Sequence, residues 1–254
     1  MTEKQLELGY WYWDRENNFP PDRIEMPNEY LGQSRMNIAC TQRLDITITE
    51  QKKLVKNWVE LLPSYKNVEI LWFTSQTTQE LFDSACELEN LIGLNIKWSS
   101  IKSLEKIKKL KNLKHLKIGS SSQIESIEPI TEMTNLEVLS IENFKKISDF
   151  TELRKLAKLK FLSIEGGMYT KQKIDSFEPI GDLTNLIYLS TAMVSCPDKR
   201  IDFLLRLKNL ITLNWSGDIS EKDMNRLISE LPNLRNFPHR YQKNNLDKLN
   251  NLFK

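Results

Sequence analysis

The 254-residue chain carries 36 Lys+Arg against 34 Asp+Glu, a formal charge of +2, and its three cysteines, Cys40, Cys86 and Cys196, are far apart and odd in number. Charges this even create no global field for drawing in nucleic acid or an anionic membrane, and the cysteines fit neither a disulfide framework nor a paired-cysteine zinc site. The first residues lack the basic start and apolar run of a secretory signal, and no stretch reaches the ~18 apolar residues of a membrane span, so a cytoplasmic setting with reduced thiols is expected.

Residues 1–62 read as an N-terminal cap. Tyr10-Trp11-Tyr12-Trp13 is an aromatic cluster suited to a short strand or to plugging a hydrophobic end, and Pro20, Pro21 and Pro27 then break regular structure. Arg43–Ile48 alternates apolar Leu44, Ile46 and Ile48 with polar residues, which predicts a strand. Thr49 is placed to cap a helix from Glu50 to Leu62, with Leu54, Val55, Trp58, Leu61 and Leu62 on one face and Pro63 past its end.

From residue 63 to 237 one pattern recurs, clearest in Met133–Ile141, MTNLEVLSI. Copies begin at Asn67, Asn90, Asn112, Asn135, Lys158, Asn185, Asn209 and Asn233, spaced by 23, 22, 23, 23, 27, 24 and 24 residues. A period of 20 to 29 residues is that of a leucine-rich repeat, in which each unit buries its apolar face only against its neighbours. The first half of each unit alternates with period two, as in Leu136–Ile141, and predicts a strand of a parallel sheet. The second half places apolar residues every third position, as in Ile124, Ile127, Ile130, Met133 and Leu136, which predicts 3₁₀ or short helical turns on a convex back. The fold class expected is therefore an α/β solenoid, a horseshoe with a parallel concave sheet. Residues 238–254, with Leu246, Leu249, Leu252 and Phe253, read as a short helical C-terminal cap.

The strings IESIEPITEMTNLEVLSI (124–141) and IDSFEPIGDLTNLIYLS (174–190) resemble the repeats of internalin-type and related short bacterial leucine-rich-repeat proteins. The resemblance implies a right-handed arc whose concave face commonly binds another protein. One position departs from it: the residue that is usually Asn in the family is here Gln76, Ser99, Ser121, Phe144, Gly167, Val194 and Asp218. Serine, water or irregular loops must then satisfy the carbonyls that an asparagine ladder would serve.

Strand alternation turns Trp72, Phe161 and Tyr188 out onto the concave face, with Lys97, His115 and Lys117 adjacent and Glu142 and Glu165 further along. Aromatics dominate binding hot spots and segregated charges orient a partner, so these eight residues are the candidate partner-binding set. On this reading Trp72→Ala with Tyr188→Ala leaves folding intact. The fifth unit is the longest, and its Glu165–Lys173 loop, with Met168 and Tyr169 protruding, is a further candidate binding edge.

The rival readings are a nucleic-acid or anionic-ligand binder using the lysine-rich Lys102–Lys117 face and an enzyme using Cys196. The former lacks interleaved aromatics on which bases would stack. Cys196-Pro197-Asp198 resembles the Cys-x-Asp element of bacterial leucine-rich-repeat ubiquitin ligases, but there it belongs to a separate helical domain. His115 is too many strands from Cys196 to activate it, and neither a phosphate-binding glycine loop nor a metal-ligand spacing occurs. The expectation is a non-catalytic, monomeric, cofactor-free scaffold for a protein partner, of which a cytoplasmic inhibitor or immunity protein is one concrete form.

Overall fold

A computed structural model describes residues 2–238. The C-terminal cap expected over 238–254 lies, from residue 239 on, outside the described residues. Nine strands form one all-parallel sheet: β1 (Arg23–Ile24), β2 (Arg35–Ile38), β3 (Ile70–Phe73), β4 (Gly93–Ile96), β5 (His115–Ile118), β6 (Val138–Glu142), β7 (Phe161–Glu165), β9 (Tyr188–Ala192) and β11 (Thr212–Trp215). Register never slips, so Leu71, Leu94, Leu116, Leu139, Leu162, Leu189 and Leu213 stack as one inward row, each buried. Two short strands, β8 (Gln172–Lys173) and β10 (Val194–Ser195), pair separately.

The convex back follows the period of three. Glu105–Lys109, Thr151–Lys155, Glu178–Asp182 and Asp202–Arg206 are 3₁₀ turns. They close with i to i+3 bonds such as Leu110 N–H to Ile107 carbonyl at 3.0 Å and Leu156 N–H to Leu153 carbonyl at 2.9 Å. Residues i and i+3 eclipse in that geometry, so every third side chain faces the sheet, and a 3₁₀ turn suits this spacing better than 3.6-residue periodicity would. Helical turns α3 (Gln79–Ala85) and α4 (Glu128–Thr131) serve the same role in two units, and α5 (Glu221–Glu230) packs behind the last.

The sheet runs on upstream of residue 63 through β2 and β1, inside the stretch expected to be a cap. The strand expected over 43–48 does not form. Leu44 is fully exposed, Arg43 is held by Glu25 at 2.7 Å and by Asp45, and Thr47 is committed to capping. Alternation alone mistook a turn for a strand because Leu44 meets no core, and the strand here is instead Arg35–Ile38. Helix α2 (Ile48–Leu61) begins two residues earlier than expected: Thr47, not Thr49, forms a capping box with Glu50, and Leu54 and Trp58 bury its inner face.

An asparagine ladder does exist, at the repeat's other corner. Asn67, Asn90, Asn112, Asn185, Asn209 and Asn233 donate Nδ2–H to carbonyls of the preceding unit, those of Gly32, Lys66, Glu89, Ala157, Thr184 and Lys208, at 2.8 to 3.3 Å. At the corner where the family's asparagine is absent, serine does substitute: Ser99 and Ser121 share a 2.6 Å hydroxyl bond, and Ser121 also donates to the Gly119 carbonyl. Next to buried Phe144 the substitute is Gln172, whose Nε2 donates to the carbonyls of Phe144, Ile147 and Lys173 at 3.2, 2.7 and 2.9 Å. Gln172→Ala leaves the buried Ile147 carbonyl without a donor, while that of Phe144 keeps the Ile147 N–H at 3.0 Å, so a loss of about 1 to 2 kcal/mol is expected as a lower urea midpoint; an unchanged midpoint would show that this corner is satisfied otherwise.

Candidate partner-binding surface

The concave face is closed by the chain's own N-terminus. Helix α1 (Glu3–Leu8), capped by Thr2 and Gln5, lies at the last strand, where Thr212 Oγ1 donates to the Leu6 carbonyl at 2.5 Å. Gly9, at φ +92°, reverses the backbone against the Tyr188 hydroxyl; a Cβ there would sit 3.3 Å from that oxygen. The segment then crosses the sheet toward its first strands. Tyr10 stacks on His115 with ring centroids 4.3 Å apart, its hydroxyl 2.8 Å from His115 Nδ1, and Trp11 meets Trp72 edge-on at 5.5 Å. Phe19, stacked on Trp11, also meets Trp72 edge-on at 4.7 Å, after an Asp14 turn pinned by Tyr12 and Asn17. A second apolar cluster results, separate from the solenoid core: Leu6, Trp11, Trp72, Val138, Phe161 and Tyr188.

This strap changes the meaning of the predicted binding residues. Trp72 and Phe161 are 2% exposed and Tyr188 6%, so the three aromatics expected to greet a partner are interior to the folded chain. The expectation that Trp72→Ala with Tyr188→Ala spares folding is therefore corrected, because both side chains hold the strap. His115 is partly buried and bonded to Tyr10; burial lowers its pKa to about 4 and pushes that of Tyr10 up to about 12, so the bond joins a neutral imidazole and a neutral phenol. The expected plug is present, but it fills the inner face rather than an open end of the solenoid.

The remaining four stay near solvent. Lys97 is exposed, and Lys117, Glu142 and Glu165 are half-buried. Lys97, Lys117 and Glu142 line an open cleft of about 1020 Å³ between the strap and the loops that leave the strands, while Glu165 lines a smaller cavity of about 240 Å³ beside Tyr10. Burial raises the Glu142 carboxyl above its ordinary value, with Lys117 pulling the other way. The candidate set lacks two further cleft residues, Trp13, 59% exposed on the cleft wall, and Trp98, which also lines it. The signal for Trp13 was alternation within the aromatic cluster, which buries Trp11 and turns Trp13 out.

The rival surfaces look different in three dimensions. In the Lys102–Lys117 run, Lys108 pairs with Glu105 and Glu132 at 3.0 Å and Lys109 is bonded to Glu87, so that face is partly neutralised. All three cysteines are buried and free, and burial raises each thiol pKa, away from the thiolate a nucleophile needs. Asp198 is held at about 2 by Arg200 rather than by any histidine. Among the described residues no group of His, Cys, Asp and Glu is placed to hold a metal ion, and no helix is long and apolar enough to cross a membrane.

Internalin C2 of Listeria monocytogenes is similar over 68% of this chain and 72% of its own, at 25% identity and a TM-score of 0.51. The chain is a leucine-rich-repeat protein. The plant peptide hormone receptor RGFR1, in complex with RGF2, shares the fold at 19% identity and a TM-score of 0.50, over 71% of this chain and 29% of the receptor. No protein-family model and no curated protein matches the sequence.

Proposed function

We propose that this leucine-rich-repeat protein is a non-catalytic scaffold that binds a partner protein, and that the partner docks in the open cleft beside the strap. The observation that carries this reading is the cleft's composition: exposed Trp13 and the ring of Trp98 stand beside Lys97 and Lys117, on a rigid sheet whose remaining inner face is already filled. Aromatic anchors ringed by charge are what energetically dominant contacts are made of. The plant receptor's complex with RGF2 supports reading such a fold as a holder of polypeptide. A cytoplasmic inhibitor or immunity protein, occluding a toxin or enzyme, is the concrete form proposed.

Trp13→Ala with Lys97→Ala removes two side chains that face solvent and is expected to leave thermal unfolding unchanged. It is expected to weaken capture of a partner from the native host's lysate at least tenfold, about 1.4 kcal/mol, read by quantitative mass spectrometry. Capture undiminished in this variant but lost on changing the convex back would contradict the cleft reading.

A further inference from the structure

Four cations, Arg23, Arg43, Lys97 and Lys117, and three carboxylates, Glu25, Asp45 and Glu142, line the cleft, beside a buried donor without an acceptor among the described residues. Arg43 is neutralised by Glu25 and Asp45. Arg23 on β1, Lys97 just past β4 and Lys117 on β5 make no ion pair among the described residues, and Glu142 is the one cleft carboxylate left to face them. Trp11, only 8% exposed, lines the same cleft, and its indole N–H has no partner among the described residues. A buried donor left unmade costs about 1 to 3 kcal/mol, and this one is closed to solvent, so a ligand acceptor recovers that cost only where the strap shifts to admit it. Around these groups the rim is apolar: Trp13 is 59% exposed, Met168 80%, and Leu44 fully.

We propose that the cleft takes an acidic segment of the partner protein, its carboxylates reaching Lys97, Lys117 and Arg23 and an apolar side chain lodged against Trp13 and Met168. The inference rests on the cleft being the docking site. A nucleic acid is the other polyanion of the right sign, but Glu142 stands among the three unpaired cations and opposes a continuous row of phosphates. A peptide carries its charges at chosen positions and its apolar groups between them, which matches this interleaving.

The test uses the full chain with ¹⁵N-labelled tryptophan and four probes: a short peptide of two leucines flanked by glutamates, its glutamine counterpart, its lysine counterpart, and oligo-uridylate. The glutamate peptide is expected to move the indole N–H signals of Trp11, Trp13 and Trp98 while leaving Trp58 and Trp215, which lie in the solenoid core, in place. Its affinity is expected to exceed that of the glutamine peptide at least tenfold, to weaken at high salt, and to vanish with Lys97→Glu plus Lys117→Glu. Equal binding of the glutamine peptide, or tighter binding of the lysine peptide, would overturn the acidic segment while leaving the cleft in place as a docking site. Oligo-uridylate binding in preference to the glutamate peptide would overturn it in favour of nucleic acid. If none of the probes moves the three signals, the inference falls, and the lysate capture with Trp13→Ala and Lys97→Ala decides the docking site separately.

Discussion

Replacing Trp11 with alanine is expected to destabilise the chain by about 3 to 5 kcal/mol, the range for emptying a buried indole site. Trp11 is 8% exposed and sits at the centre of the inner-face cluster, edge-on to Trp72, stacked on Phe19 at 5.9 Å and next to Tyr10 at 5.1 Å. The side chain is also fitted to its floor, since a Cβ on Gly93 would lie 3.2 Å from the tip of the indole. The loss combines removal of the buried ring with exposure of Trp72 and Phe19, which it covers. The expected signature is a lower urea midpoint together with binding of a hydrophobic dye, because the uncovered face is a contiguous apolar patch. Trp72→Ala is expected to behave alike, because Trp72 is edge-on to both Trp11 and Phe19. A change below about 1 kcal/mol for Trp11→Ala would mean that the strap rests on the sheet without being part of the fold.

Acidification is expected to release the strap. His115 has a pKa of about 4 in the folded chain against an ordinary 6.5, and burial is the first cause. Glu137 favours the charged form, while Lys114 and Lys160 oppose it. A lowered histidine pKa means that the folded state binds fewer protons than the open one between these values. The stabilisation is therefore complete above pH 6.5 and lost as pH falls toward 4. Over that window the change amounts to about 3 kcal/mol, at about 1.4 kcal/mol per pH unit. Protonated His115 carries N–H on both ring nitrogens, so Nδ1 can then only donate to the Tyr10 hydroxyl, and the cost of protonation is the burial of its charge beneath the strap. Stability measured by urea unfolding should fall through this window in the wild type and much less in His115→Phe. Equal slopes in the two proteins would assign the acid sensitivity to the carboxylates instead.

The solenoid was legible because its signal repeats. Every inward leucine and every threefold convex position is a local rule stated many times over, and the parallel register with its 3₁₀ back follows from packing identical units. The strap was not legible for the opposite reason. Its contacts join Leu6 to Thr212 and Tyr10 to His115, and a pairing made once across most of the chain leaves no period to read. Outward aromatics at Trp72, Phe161 and Tyr188 marked a surface that needed covering, and the same observation suits a foreign partner or a segment of the same chain. The aromatic run at Tyr10–Trp13 was the matching half. The ladder was likewise visible as the asparagine opening nearly every copy, but its partners are carbonyls of the preceding unit, which side-chain identity alone does not reveal. Leu44 shows the reverse failure, where alternation without a neighbouring strand gave a turn.

The most direct test of the closed inner face is proximity in solution between the rings of Tyr10 and His115 and between Leu6 and Thr212. With selectively labelled protein near neutral pH, nuclear Overhauser cross-peaks are expected for both pairs, whose rings and polar atoms lie 4.3 and 2.5 Å apart. Sharp random-coil signals for Leu6, Tyr10 and Trp11 with neither cross-peak would contradict it, and would return Trp72, Phe161 and Tyr188 to the surface open to a partner.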